Sequence, residues 1–237
     1  MKKILVSIFA LLIVIGIDAQ KTVVDGNVVV KNVGSFSSIS VASGIDLYLS
    51  QGNEEKVAIS AAKEEDLDKI VVEVVNGTLK IYYEWKSNFR FVWGDKKMKA
   101  YVSFSKLEKL SASGGSDVFV EGTIEVPKFN LQISGGADFR GKIAVMDLIA
   151  EASGGSDIDI SGKAVNARID VSGGSDFKGN NLQTENCDAD ASGGSDIYVT
   201  VIKELKADAS GGSDIYYKGS ANVKSRKSGG SDIVKRS

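Results

Sequence analysis

Seven carboxylates recur at a nearly constant interval along the second half of the sequence: Asp117, Asp138, Asp157, Asp176, Asp196, Asp214 and Asp232. Each closes a Ser-Gly-Gly-Ser/Ala-Asp phrase, and successive phrases start 21, 19, 19, 20, 18 and 18 residues apart. Stacked one per turn, such carboxylates lie about 4.8 Å apart and repel by about 0.9 kcal/mol in water-like dielectric. Two arrangements offset that repulsion. Each Asp can accept hydrogen bonds from backbone N–H groups at its own Gly-Gly corner, as turn-forming Asp does. Alternatively, a row of cations, Ca²⁺ first among them, can bridge successive carboxylates with Ser hydroxyls and carbonyls. The nonapeptide Ca²⁺ repeats carry Gly-Gly-x-Gly-x-Asp every nine residues, and this sequence has neither the internal Gly nor that period. The local role is therefore the expectation, with no cofactor required and Ca²⁺ as the alternative.

Catalysis finds little material. There is no His, which excludes His-dependent triads, general bases and metal sites. Paired-acid glycoside chemistry needs two carboxylates in distinct environments, whereas the acidic residues here recur with the repeat and none stands apart. The one asymmetric segment is aromatic and basic: Trp85, Phe89, Arg90, Phe91 and Trp93, just after Tyr82 and Tyr83, hold both tryptophans of the chain. Such a mixture suits sugar stacking or a protein contact. The alternation of Phe89, Phe91 and Trp93 equally suits a strand packed over the end of a larger body. Phe119, Tyr198 and Tyr216 form a second candidate surface.

The elements that carry these residues follow from the period. Self-similarity near twenty residues marks a solenoid, in which each repeat buries its apolar face only against its neighbours. Aligned on the Asp, the next residue is always apolar: Val118, Phe139, Ile158, Phe177, Ile197, Ile215 and Ile233. Two further along stand Val120, Gly141, Ile160, Gly179, Val199 and Tyr217, with mixed residues between. Before the glycines, Ala112, Ile133, Ala152, Val171, Ala191 and Ala209 alternate with Ser111, Gln132, Glu151, Asp170, Asp190 and Asp208. This is the period of a strand with one face inward. A third short strand is expected around Ile124, Ile143, Val165 and Val201. The turns are too short for a crossover helix, so strands pair in parallel with the turns before and after. Parallel crossovers are right-handed. The sequence predicts an all-β chain, a right-handed parallel β-helix of about 18–21 residues per turn.

The predicted organisation is a signal peptide at 1–19, an irregular β-rich N-terminal cap at 20–109 and regular repeats at 110–237, cap and repeats forming one continuous architecture. Within the cap, Ser43-Gly44-Ile45-Asp46 reads as a degenerate copy of the corner. Asn76-Gly77 signals a hairpin, Val57 to Ile59 a strand, and Ala62 to Leu67 a short helical turn. Lys2 and Lys3 followed by the apolar run Ile4 to Ile17 and by Ala19 describe a secretory signal. Its removal leaves 27 Lys+Arg against 30 Asp+Glu, a mildly acidic chain without the footprint of a nucleic-acid binder. The single Cys187 excludes an intrachain disulfide and falls at an inward position.

With the repeats, the segment Ser43 to Gly52 (Ser-Gly-Ile-Asp-Leu-Tyr-Leu-Ser-Gln-Gly) and the hairpin Asn76 to Ile81, the chain resembles the auto-transporter adhesin, head GIN domain family. These are exported proteins found mostly in Bacteroidetes, and the similarity covers Val33 to Ile233. The resemblance implies a β-helical fold and a place in the cell envelope, periplasmic, surface-exposed or secreted, and it supplies no catalytic residues. Only five residues follow the last phrase, so a C-terminal membrane barrel is not expected, nor a transmembrane segment once the signal is gone. The expected function is an exported, non-enzymatic binding or scaffold module, with a glycan or an envelope protein as partner and end-to-end self-association open to it. A carbohydrate-active β-helix enzyme and a Ca²⁺-stabilised structural protein are the alternatives.

Overall fold

The computed structural model describes residues 27–85 and 97–236. The predicted signal peptide and Phe89, Arg90, Phe91 and Trp93 lie outside these residues. The described chain begins with β1 (Val28–Lys31), β2 (Ser38–Val41), β3 (Ile45–Gln51) and β4 (Lys56–Ser60), followed by the helical turn α1 (Glu64–Leu67). Next come β5 (Ile70–Val75), β6 (Thr78–Tyr83), β7 (Met98–Phe104), β8 (Lys109–Ser113) and β9 (Val118–Glu121). The regular coils are β10 (Ile124–Ser134), β11 (Asp138–Ser153), β12 (Asp157–Ser172), β13 (Asp176–Gly193) and β14 (Asp196–Gly211). The chain ends with β15 (Asp214–Lys218), β16 (Asn222–Gly229) and β17 (Asp232–Lys235).

Coil stacks on coil in parallel from β10 through β14, giving a β-solenoid of about seven turns. The expected inward residues are buried, among them Phe139, Ile158, Phe177, Ile197 and Ile215 on one wall and Leu131, Ala150, Ile169, Ala189 and Ala207 on the other. Volume is matched within each coil. Where the first inward residue is Phe139 or Phe177, the second is Gly141 or Gly179, and a Cβ at Gly179 would lie 2.4 Å from the Phe177 ring. Where the first is Ile158 or Ile197, the second is Ile160 or Val199. A large residue beside a small one keeps the wall separation constant, as close packing demands.

Two expectations are corrected here. While β9 and β10, and β15 and β16, stay divided as expected, in the central coils the strands are not separate: each runs unbroken from the Asp of one corner to the Ser of the next, 16 residues in β11 and β12. Its ladder is carried around the remaining bends by stacked polar side chains, such as Asn186 Nδ2 donating to Asn166 Oδ1 (3.0 Å) and Asn166 Nδ2 to Asp147 Oδ1 (2.9 Å). Val165 is also not inward. Gly162 lies over Ile143 and Ala164 over Val145, so Ala164 fills the core position. Ile158, Ile160 and Ala164 are buried and then Ala167, Ile169 and Val171, so the alternation shifts by one residue at Val165 and Asn166, whereas Gly162, with φ 110, holds a conformation a side chain rarely takes.

The N-terminal third has a topology that the linear pattern conceals. Coil β2–β3 lies between two later coils: β2 pairs with β6 on one side and β8 on the other, and β3 pairs with β7 and β9. Outside β6 and β7 the pairing turns antiparallel, with β5 on β6 through the Asn76-Gly77 turn and β4 on β7, then β1 on β4. Both turn residues have positive φ, 51 at Asn76 and 72 at Gly77, as a two-residue hairpin loop of this kind requires. Among the described residues, no helix is long and apolar enough to cross a membrane.

Candidate interaction surface

The Gly-Gly corner is built from a residue type whose role the sequence leaves unassigned. The fourth residue of each phrase points inward: Ser116, Ala137, Ser156, Ser175, Ser195 and Ser213 are all 0% exposed and Ser231 is 5% exposed. The Ser195 hydroxyl accepts from Ser192 N–H (3.2 Å) and lies 2.9 Å from Ser192 C=O and 3.0 Å from Val171 C=O in the preceding coil. Ser156, Ser213 and Ser231 repeat the contact to both coils. Ser175 instead accepts the N–H groups of Gly155 and Ser156. The buried hydroxyl thus closes the corner and stitches it to its neighbour.

The seven aspartates stack in register along the corner, but their hydrogen bonds differ from the expected ones. The N–H donors come from the next coil. Asp138 N–H donates to Asp117 Oδ1 (3.2 Å), Asp157 to Asp138 (3.1 Å), Asp176 to Asp157 (3.3 Å), Asp214 to Asp196 (3.3 Å) and Asp232 to Asp214 (2.8 Å). The corner groups are already taken by Ser, so the carboxylates reach along the stack.

The other carboxylate oxygens meet outward side chains. Lys178 Nζ sits 2.6 Å from Asp157 and 3.7 Å from Asp176. Its hydrogen bond to Asp157 raises its pKa above the usual lysine value. Tyr216 OH donates to Asp214 (2.8 Å), Lys227 pairs with Asp232 (2.9 Å), and Arg140 lies 3.6 Å from Asp138. Burial holds the Asp196 carboxyl above the usual range, against the lowering effect of the Asp214 N–H. Among the described residues, no three His, Cys, Asp or Glu side chains converge closely enough to enclose a metal ion.

Beside the aspartates, the outward residues form one straight row. Tyr101, Tyr48, Phe119, Arg140, Asp159, Lys178, Tyr198, Tyr216 and Val234 stand one per coil in register. Tyr48 stacks on Tyr101 and on Phe119, both at 5.2 Å between centroids, and Tyr198 stacks on Tyr216 at 4.9 Å. The Arg140 guanidinium lies 5.8 Å from the Phe119 ring and that of Arg236 lies 3.9 Å from Tyr216. Because rings on successive coils lie nearly parallel, their faces are spent on each other and their edges meet solvent. Sequence reasoning found Phe119, Tyr198 and Tyr216. It missed Tyr48 and Tyr101, since only the insertion of β3 between β7 and β9 brings them into the row.

The face before the corner has a different character. Glu151, Asp170, Asp190 and Asp208 line up there, with Gln132 Nε2 donating to Glu151 (3.0 Å). Arg168 pairs with Asp170 (3.0 Å), and Arg226 with Asp208 (2.8 Å). Arg226 holds the Asp208 carboxyl below its usual range, whereas burial followed by the charges of Asp170 and Asp208 pushes Asp190 up. A shallow groove of 610 Å³ runs over Glu151, Asp170 and Asp190, and another of 340 Å³ lies beside Asn166, Asn186 and Lys206. Neither gathers residues of different roles. Cys187 is buried, and desolvation pushes its thiol up to about 12.

Of the aromatic segment, Trp85 is described. It is 65% exposed, and its ring meets Tyr83 edge-on at 4.8 Å. Tyr83 is itself anchored by its hydroxyl to Asp66 Oδ1 at 2.7 Å. The anchor is rigid and the indole protrudes from it.

Residues 35–221 match the family model described as "Putative auto-transporter adhesin, head GIN domain". Among solved structures, the chain resembles a putative adhesin from Bacteroides fragilis, with 20% identity and a TM-score of 0.81 over 90% of this chain and 98% of that one. A putative adhesin from Parabacteroides merdae (17% identity, TM-score 0.70) and a putative lipid binding protein from Parabacteroides distasonis (19%, 0.69) align over the same 90% and 98%. At these identities the likeness is one of fold. No curated protein matches the chain.

Proposed function

The chain belongs to the auto-transporter adhesin, head GIN domain family, and from that premise we propose that it is an exported, non-enzymatic binding module of the cell envelope with an adhesin-like role. The observation that carries this reading is the outward row from Tyr101 to Val234. Two aromatic clusters, Tyr101, Tyr48 and Phe119 and then Tyr198 and Tyr216, flank Arg140, Asp159 and Lys178 there, one residue per coil on an open wall. Such a wall offers many weak, equally spaced contacts to an extended partner, and multiplicity turns weak contacts into firm attachment. Trp85 adds a protruding aromatic at the cap, a residue type that dominates binding energy where it becomes buried in a complex. The basic start and apolar run at 2–17 support export, to the periplasm or beyond it.

A glycan array together with immobilised envelope proteins, with turnover assayed in parallel, tests the proposal. Binding without cleavage is expected. Tyr48→Ser with Phe119→Ser, and separately Trp85→Ala, should each lower retention about tenfold or more while the fold stays intact by circular dichroism. Release of cleaved sugar would make the chain an enzyme and overturn the reading. So would retention unchanged by all three substitutions.

A further inference from the structure

The two ends of the solenoid carry segments of opposite charge. At the N-terminal end, outside β6 and β7, residues 54–73 contain seven acidic and three basic residues. The three lysines are already paired, Lys56 with Glu54, Lys63 with Glu65 and Lys69 with Asp66, leaving Glu55, Glu64, Asp68 and Glu73 as surplus charge. At the opposite end, residues 218–236 contain six basic residues and one acidic residue. There Arg226 is held by Asp208 and Lys227 by Asp232, while Lys218, Lys224 and Lys235 have no ion-pair partner among the described residues.

Both ends also present strands paired along one edge only. Among the described residues, β5 pairs only with β6 and β1 only with β4, while β16 pairs only with β14 and β17 only with β15. Each edge has apolar residues near it. Val28, Val29 and Val30 of β1 are 47%, 38% and 62% exposed, and Val234 of β17 is 40% exposed. In the last coil the core positions above Ala207 and Ala209 are taken by Ser225 and Lys227, and the position above Tyr217 by Lys235. Lysines there prevent two basic ends from meeting, which is the usual protection of an open edge. An acidic edge facing them is a different matter.

We infer that the chain associates head to tail with further copies of itself, the basic end formed by β16 and β17 docking on the acidic end formed by β5, α1 and β1. The contact joins two different surfaces and does not close on itself, so copies add along the solenoid axis. It brings Lys224 and Lys235 toward Glu64, Asp68 and Glu73, with the exposed valines of β1 at its apolar part. This inference stands apart from the proposed binding role, because the row from Tyr101 to Val234 runs along the side of the rod.

Sedimentation velocity on the mature, exported chain between 10 µM and 1 mM tests it. Mass should rise with concentration in 20 mM NaCl, and the association constant should fall about tenfold or more in 500 mM NaCl. Lys224→Glu with Lys235→Glu takes residues 218–236 from five net positive charges to one, and Glu64→Lys with Asp68→Lys takes residues 54–73 from four net negative charges to none. Each variant alone should stay monomeric, and an equimolar mixture of the two should associate. Monomers at every concentration in low salt, or association that survives both pairs of substitutions, would overturn the inference. If the wild-type chain stays monomeric yet binds phosphatidylglycerol vesicles through Lys224 and Lys235, the basic end serves an anionic surface instead and the inference fails.

Discussion

Ser195→Ala removes a hydroxyl that is fully buried and touches three backbone groups within 3.2 Å. One hydrogen bond contributes about 1 kcal/mol net, and a buried N–H left without its acceptor costs about 1–3 kcal/mol. The truncation should therefore destabilise the chain by roughly 2 kcal/mol, equivalent to a Tm lower by about 4–8 °C for a chain of this size. The sequence supplies its own control, since Ala137 already occupies the same corner position, buried like its serine counterparts. Ala137→Ser should raise Tm, as the new hydroxyl finds Ser134 N–H and the Ala112 carbonyl where Ser156 finds Ser153 and Ile133. Urea unfolding followed by circular dichroism, with calorimetry for Tm, measures both. If Ser195→Ala shifts stability by less than about 0.5 kcal/mol, the range of an inconsequential surface change, the hydroxyl row is incidental and this account of the corner is wrong.

Other consequences are equally open to measurement. Gly162→Ala places a Cβ 2.0 Å from the Ile143 carbonyl oxygen at φ 110 and should cost about 3 kcal/mol or more, whereas Gly155→Ala meets open space and should cost only about 1 kcal/mol for its positive φ; paired melting curves separate the two. Cys187 should resist a water-soluble maleimide at pH 8 in the folded chain and react once urea unfolds it, so rapid labelling of the native state would refute its burial. The Asp190 carboxyl is raised in the folded chain, so its ionisation opposes folding above the folded pKa and that penalty disappears as pH falls through it. Asp190→Asn should accordingly raise Tm more at pH 7 than at low pH, where the carboxyl is already protonated. Asp208 has the opposite sign: its contribution, set by Arg226, is present at pH 7 and lost as pH falls through its lowered pKa, so Asp208→Asn should lower Tm at pH 7.

The candidate surface was legible only where it shares the repeat. Phe119, Tyr198 and Tyr216 follow from counting two residues beyond each Asp. Tyr48 and Tyr101 join them through pairings across 53 and 71 residues of chain, Tyr48 with Tyr101 and Phe119, which no period of twenty reveals. Val165 misled because Ala164 takes the inward position just before it, and the alternation shifts by one place at Val165 and Asn166. Tyr83 stands just before the aromatic segment in the sequence, and its bond to Asp66 makes it the buried footing of Trp85.

Alternation along a strand is a local property, since neighbouring side chains must point to opposite faces wherever the backbone is extended. The sequence by itself therefore determined the stacked coils, the Ile, Phe and Ala core, the glycine corners and the lining-up of the aspartates. Hydrogen bonds between coils join residues some twenty positions apart or more, and their partners depend on how one turn settles on the next. Tertiary structure alone decided that serine closes the corner, that each aspartate receives its N–H from the following coil, and that β2–β3 lies between coils made later in the chain. It also decided that surplus charge of opposite sign ends up at opposite ends of the rod.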